Sequence, residues 1–372
     1  MYKTALKVLE KINSSGFKAY IVGGYPRDLY LNRKSVDIDI CTNALPKDLK
    51  LIFKSSNISN KEYGSVSLIL NNIRFEITTF RKEIKYENNR FPVKIEYIDS
   101  LIDDLKRRDF TINTLCINSK GELLDLLDSK KDIDNKIIKC VGSSDDKIKE
   151  DILRSLRAIR FATILNFSLD DELKKSIKKY AYLLNNLSYY RKKEELEKIF
   201  SNPNCKYGLR LIKELELDKF LELQNIDNIK ITSSILGIWA QLNVKDIYNF
   251  SNYEKDIIEK INLALKEDIM DKNVIYKYGL YISTLVGEIK GIDRKKIVSI
   301  RNNLPILNIK DIDITSQEIC NILNQKPGKF LKDIYKDLEY KIINDKISNK
   351  KEEIIRYLKK GEIVWNHYYF VF

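Results

Sequence analysis

Hydrophobic and polar positions change their period twice along this chain. Over residues 1 to about 15, apolar side chains recur at helical spacing, with Leu6, Leu9 and Ile12 on one face, which predicts an amphipathic helix. Tyr20-Ile21-Val22 is a short apolar run that stops at Gly23-Gly24, and Pro26 then opens a helical segment to Leu31, giving strand, glycine turn, helix start. Val36-Asp37-Ile38-Asp39-Ile40 alternates strictly. On a strand that period sets both carboxylates on one face, about 7 Å apart, and the apolar residues on the other. Leu45-Pro-Lys-Asp-Leu-Lys reads as a helix start. Two alternating runs, Ser65-Val-Ser-Leu-Ile-Leu and Ile73-Arg-Phe-Glu-Ile-Thr-Thr-Phe, flank Asn71-Asn72, a hairpin signal. Residues 82–98 are polar and irregular and predict a mobile loop. Residues 1 to about 140 therefore predict an α+β domain around a mixed sheet.

From about Lys147 the pattern is almost wholly helical, broken at Pro203, Gly237, Gly287, Pro305 and Pro327-Gly328. The spacing predicts one helix running from Lys149, with Ile152, Leu156 and Ile159 on its apolar face. Asp151, Arg154, Arg157 and Arg160 step round the other half at i, i+3, interrupted by Leu153 and Phe161. Taken alone, this is a salt-bridged, solvated face.

Composition narrows the class. At 372 residues the chain is expected to form two or more domains, and 44% hydrophobic with 32% charged residues describes a globular protein. No run of eighteen apolar residues predicts a membrane span, and the chain opens on an amphipathic helix, without a signal-peptide layout. Five dispersed cysteines without a Cys-x-x-Cys pair predict reduced thiols in the cytoplasm and exclude a cysteine-based zinc site. The single histidine, His367, excludes histidine-rich metal sites and Ser-His-Asp catalysis. A formal charge of +13 favours a polyanionic partner, nucleic acid first, against a plain lysine-rich bias.

The candidate chemistry gathers in the first pattern. A side-chain-free turn at Gly23-Gly24 lets backbone N–H groups approach a phosphate, and the following helix start favours the anion. Asp37 and Asp39 can hold two divalent cations roughly 3.5–4 Å apart, the arrangement of two-metal phosphoryl chemistry. Glu76, on a neighbouring predicted strand, is either a third acid of this group or an ordinary strand-face carboxylate. Arg107 and Arg108 suit triphosphate or RNA phosphates. One glycine turn or one acidic strand is commonplace; both within one β-turn-helix-β unit point to nucleotidyl transfer.

These residues also resemble a family. Gly23-Gly24-x-x-Arg27-Asp28 with Asp37-Ile-Asp39 is similar to the first motif of polymerase-β-like nucleotidyltransferases. Arg107-Arg-Asp-Phe-Thr-Ile-Asn113 and Glu150-Asp-Ile-Leu-Arg-Ser-Leu-Arg-Ala-Ile-Arg-Phe-Ala162 resemble class II CCA-adding tRNA nucleotidyltransferases and bacterial poly(A) polymerases. The resemblance is strong over residues 19–162 and continues weakly through Asn308-Ile-Lys-Asp311, Lys326-Pro-Gly-Lys-Phe330 and Asn349-Lys-Lys-Glu-Glu353, as in the tail of the Gram-positive-type bacterial enzymes. It implies a catalytic α+β head over residues 1–140, then an all-α remainder: a neck over 141–200 that selects the base, a body over 201–305 and a tRNA-binding tail over 306–372.

The resemblance further implies magnesium on Asp37 and Asp39, the catalytic pair, and nucleotide contacts at Gly24, Arg27, Arg108, Asp151, Arg154, Arg157 and Arg160. The implied activity is addition of CCA to the tRNA 3′ end from CTP and ATP in the cytoplasm, with no membrane and no obligate protein partner. Cytosine and adenine share an exocyclic amine beside a ring-nitrogen acceptor, an edge that a carboxylate next to an arginine matches. Asp151 and Arg154 can therefore read both bases. The chain departs from the family pattern at Asn88 (usually Asp), Tyr190 (usually Glu) and Thr114 (commonly Ala), which bears on the tuning of the 82–98 loop. That loop is of full length, which favours complete CCA addition over CC addition. The lone His367 argues against an appended His-Asp phosphohydrolase domain. Poly(A) or A-adding activity is the alternative within the class, and a non-catalytic RNA-binding protein the alternative outside it.

Overall fold

A computed structural model describes residues 1–360 apart from Val36 and residues 55–56, 61–63 and 88–90. It divides into two compact units, Met1–Asp227 with Ile247–Asn249, and Asn228–Asp246 with the chain from Phe250 onward. No helix among the described residues is long and apolar enough to cross a membrane.

The first unit opens with α1 (Tyr2–Ser14), β1 (Ala19–Val22), α2 (Gly24–Tyr30), β2 (Asp39–Thr42) and α3 (Pro46–Ile52). Next come β3 (Asn57–Asn60), the hairpin of β4 (Ser65–Leu70) and β5 (Ile73–Thr79), and a second hairpin of β6 (Arg81–Glu87) and β7 (Phe91–Tyr97). α4 (Leu101–Lys106), β8 (Cys116–Ile117), β9 (Leu123–Leu124) and α5 (Ser129–Asp134) complete the α+β part. Seven strands form one mixed sheet in the order β3-β4-β5-β2-β1-β8-β9. Only the central β2–β5 pairing is parallel; the other neighbours run antiparallel. The apolar face of α1 (Ala5, Val8, Leu9, Ile12) packs with Ile21, Ile40, Phe75 and Ile77 in a single core on one side of the sheet. On the other face Cys41 is covered by a second cluster with Val22, Phe80, Leu105 and Cys116, while Asp39 and Glu76 are exposed.

Helices follow: α6 (Ser144–Glu150), α7 (Leu153–Leu165), α8 (Asp171–Tyr180), α9 (Tyr189–Phe200) and α10 (Cys205–Glu214). The second unit is helical among its described residues. Lys272–Lys290, Arg294–Asn302, Ser316–Leu323, Phe330–Ile343 and Lys351–Lys359 surround a core that includes Ile275, Ile297, Ile319, Leu338 and Ile354. The α+β head with a mixed sheet and a helical remainder is the expected fold class.

Some local expectations hold and others do not. Asn71 (φ 52°) and Asn72 (φ 60°) both take left-handed backbone between Leu70 and Ile73, the two-residue turn that matches strand twist. The segment predicted as an irregular loop over residues 82–98 is a hairpin through its described part. Lys82 lies opposite Glu96 in the strand register, and Arg81 donates to Glu83. Asn88 lies outside the described residues, as does His367. Thr114, a departure from the family pattern, is fully buried with its hydroxyl bonded to the Thr111 carbonyl and the Ser129 hydroxyl. The helix expected to run on from Lys149 is broken. α6 ends at Glu150, Asp151 is extended (φ −146°, ψ 101°), and α7 begins at Leu153. The Asp151 carboxylate accepts the Leu153 amide at 3.0 Å, a local bond that competes with continued helix.

Candidate active site

β1 runs antiparallel to β2 so that Val22 faces Asp39, and the chain turns at once through Gly23. Gly23 has φ +83°, and a Cβ there would lie 3.2 Å from Asp39 Oδ2. Glycine is thus required twice, by the backbone and by the carboxylate it makes room for. Asp39 opens β2, and Asp37 precedes the strand instead of lying on it; Ile38 and Ile40 are buried while both aspartates are exposed. Across the parallel pairing, Glu76 of β5 is the direct neighbour of Asp39. Surrounding protein raises the Asp39 carboxyl above its ordinary value; Arg108 opposes the shift, while Glu76 and Asp37 add to it.

A site in which negative neighbours resist ionisation suits a divalent cation, and the donors are hard carboxylate oxygens. No group of three or more potential ligands is poised to hold a metal among the described residues. Two aspartates, with the remaining positions left to water and substrate phosphates, are the usual protein share of a magnesium site. The residues present therefore fit magnesium.

The predicted arginines converge from three directions, and each is anchored by a partner that the sequence reading did not assign. Arg27 of α2 is 5% exposed; Nη1 donates to Asn113 at 2.7 Å, and Nε and Nη2 donate to Asp28. Gly24 is set against it, since a Cβ there would sit 3.4 Å from Arg27 Nη2. Arg107 and Arg108 both pair with Asp104, a fully buried carboxylate on α4, and Arg107 also reaches Glu83. Arg108 keeps one buried donor, Nε, with no partner. A buried N–H left unpaired is costly unless a partner completes it. On α7, Arg154 is 6% exposed and bonds the Lys147 carbonyl and Glu150, while Arg157 bonds Asp109 and Arg160 bonds Glu195 of α9. A cavity of about 600 Å³ has Arg107, Lys147 and Glu150 in its wall, but neither the two aspartates nor Arg27, Arg108, Arg154, Arg157 and Arg160 line it.

Asp109 and Asn113 lie inside the Arg-Arg-Asp-Phe-Thr-Ile-Asn run, so a motif marked them without revealing their partners. Glu195, 35 residues beyond Arg160, carried no signal at all.

A mixed sheet with a strand, Gly-Gly turn and helix beside an acidic strand edge, followed by arginine-bearing helices, defines a polymerase-β-like nucleotidyltransferase. The Poly A polymerase head domain family matches residues 19–139, and tRNA nucleotidyltransferase domain 2 matches residues 240–358. The chain is 34% identical to the CCA-adding enzyme of Ligilactobacillus salivarius, covering 96% of each chain. It is 31% identical to that of Bacillus cereus, over 96% of this chain and 98% of the relative. The crystal structure of Bacillus stearothermophilus CCA-adding enzyme in complex with CTP superposes with a TM-score of 0.84 at 25% identity, covering 96% of each chain. The chain belongs to the CCA-adding enzyme family and is a nucleotidyltransferase.

The Asp109–Arg157 pair ties the head to α7 and gives a pH-dependent expectation. Burial pushes the Asp109 carboxyl up, but Arg157 and the Asn113 and Phe110 N–H donors more than offset this and hold it well below the carboxylate range. A lowered folded-state pKa contributes stability above the unfolded value, near pH 4, and loses it as pH falls through the folded value. Asp109→Asn is expected to cost about 2 kcal/mol at pH 7, below the roughly 3–5 kcal/mol of a fully buried pair because Arg157 is partly open to solvent. Denaturant melts at pH 7 and pH 3 test this: the deficit should shrink at the lower pH. A deficit equal at both would remove the ionic account.

Proposed function

We propose that this protein adds CCA to the 3′ end of tRNA without a nucleic-acid template, using CTP and ATP, with Asp37 and Asp39 as its magnesium-binding catalytic pair. The observation that carries the reading is Asp39 at the start of β2, uncrowded by Gly23, with Asp37, Glu76 and the Arg108 charge acting on its carboxyl. The relatives' shared name and the CTP in the 25%-identical structure support the substrate assignment.

In this reading the tRNA 3′-hydroxyl attacks the nucleotide α-phosphate and pyrophosphate leaves. Magnesium bound at Asp37 and Asp39 would acidify the attacking hydroxyl and stabilise the leaving oxygen. Arg108 donates Nε to a phosphate oxygen, and Arg27 offsets phosphate charge from beneath the Gly23-Gly24 turn. Asp151 accepts from the exocyclic amine shared by cytosine and adenine, while Arg154, fixed by Glu150 and the Lys147 carbonyl, donates to the ring nitrogen beside it. Arg157 and Arg160 supply further nucleotide contacts. No histidine is needed as a base. With a basic surface, tRNA binding is led by shape and backbone and weakens steeply with salt.

Incubating the purified protein with tRNA lacking CCA, and with each NTP alone or in pairs, tests the reading. CTP alone should add C residues, and CTP with ATP should complete CCA and stop. Long tails from ATP alone would instead establish poly(A) polymerase activity, the alternative that the head family's description keeps open.

A further inference from the structure

Phe161 lies on α7 next to Arg160 and one turn beyond Arg157, where the helical pattern reads it as an interruption of the basic face. Its ring is the common centre of three arginines. The guanidinium carbons of Arg160, Arg27 and Arg157 lie 4.1, 5.3 and 5.5 Å from its centroid. Phe110, itself fully buried, meets the same ring edge to face at 5.8 Å and 80°. Phe161 is 8% exposed, so the contacts form where water is scarce and a cation–π attraction is at its strongest.

Each arginine also has its own carboxylate: Asp28 for Arg27, Asp109 for Arg157 and Glu195 for Arg160. Those three acids sit on three different segments, on α2, after α4 and on α9. The ring is common to all three arginines. It attracts all three cations to one point and consumes no N–H donor, whereas a fourth carboxylate would occupy donors and cancel charge. An uncharged aromatic centre therefore draws the three ion-paired guanidinium groups together without adding a further negative charge.

We propose that Phe161 is a positioning residue that gathers Arg27, Arg157 and Arg160 into one seat for the triphosphate of the incoming nucleotide. The inference rests on the reading of these arginines as nucleotide contacts. Because the triphosphate is common to CTP and ATP, Phe161 governs affinity for both and has no part in base choice.

Phe161→Leu, which keeps an apolar side chain but removes the ring's quadrupole, should raise KM for CTP and for ATP by about tenfold, with kcat changed much less. Binding of tRNA and selectivity against UTP should stay at wild-type levels. Replacing Phe161 with trifluorophenylalanine retains the ring's shape and weakens its negative face, and should raise KM in the same direction with thermal stability preserved. Phe161→Tyr should restore KM. Wild-type KM in the fluorinated protein, or equal losses for Leu and Tyr, would overturn the proposal. Arg157→Lys and Arg160→Lys separate it from the reading beneath it. If these leave KM unchanged, the arginines are not nucleotide contacts; if they raise KM and the fluorinated ring does not, only the role of Phe161 fails.

Discussion

Asp39→Ala abolishes nucleotide incorporation, by about a thousandfold or more, while tRNA affinity stays near the wild-type value. The expectation follows from the position of this carboxylate. It opens β2 beside Glu76, faces Val22 across the antiparallel pairing, and has its outer oxygen beside a residue with no side chain. In the proposed reading, loss of one of the two aspartates removes half the carboxylate charge offered to the divalent ion. A loss of about 4 kcal/mol in transition-state stabilisation corresponds to about a thousandfold in rate. Asp39→Asn separates charge from packing, since it keeps the shape beside Gly23, and should be nearly as inactive. Gly23→Ala should also be impaired, because its backbone is left-handed and its new methyl group would press on the same oxygen. Single-turnover incorporation of CTP, with filter binding of tRNA measured in parallel, distinguishes these outcomes. Turnover like that of the wild type in Asp39→Ala would remove the metal assignment.

The elements of this head that were legible in the sequence are those set by neighbouring residues. Gly23-Gly24 ends a strand because no other residue tolerates that backbone beside Asp39, and Asn71-Asn72 makes a hairpin because both residues accept left-handed backbone. The acidic strand showed its faces through its alternation, though pairing begins only at Asp39. Long-range partners were not legible. Arg157 finds Asp109 48 positions away, and Arg27 finds Asn113 86 positions away. No period links such residues; the pairing of β1 with β8 brings Arg27 to Asn113, and the packing of α7 brings Arg157 to Asp109. The strands over residues 82–98 were hidden for another reason: charged residues stand opposite apolar or aromatic ones, as Glu83 does Ile95, and register shifts interrupt the alternation. The break at Asp151 left no trace in the spacing of Ile152, Leu156 and Ile159, because all three follow it. That break changes the meaning of the basic helix, since Asp151 stands at the entrance to α7 and not along its side.

In the proposed reading Asp151 has two tasks, and a substitution that separates them gives the sharpest test of base selection. Its carboxylate already accepts the Leu153 amide through Oδ1, as a helix-start cap does. Asp151→Ala loses that cap, a cost of about 1 kcal/mol, together with the acceptor facing the base. Asp151→Asn retains a side-chain oxygen for the cap but can turn an NH₂ donor toward the nucleotide. Uracil and guanine present a carbonyl where cytosine and adenine present the amine, so the amide should now favour the excluded bases. A site built around a hydrogen bond discriminates by about 10⁴-fold, which bounds the effect. The ratio of kcat/KM for CTP over UTP is expected to fall by about a hundredfold or more in Asp151→Asn, with thermal stability close to wild type. Asp151→Ala should relax the same ratio while also melting earlier. Arg154→Ala should relax it too, but at a higher cost in stability, because Arg154 is 6% exposed and bonded to Glu150 and the Lys147 carbonyl. If all three variants kept the wild-type order of nucleotides on tRNA lacking CCA, the base would be read elsewhere. If only Asp151→Ala changed it, the loss would trace to the capped entrance of α7 and not to the carboxylate.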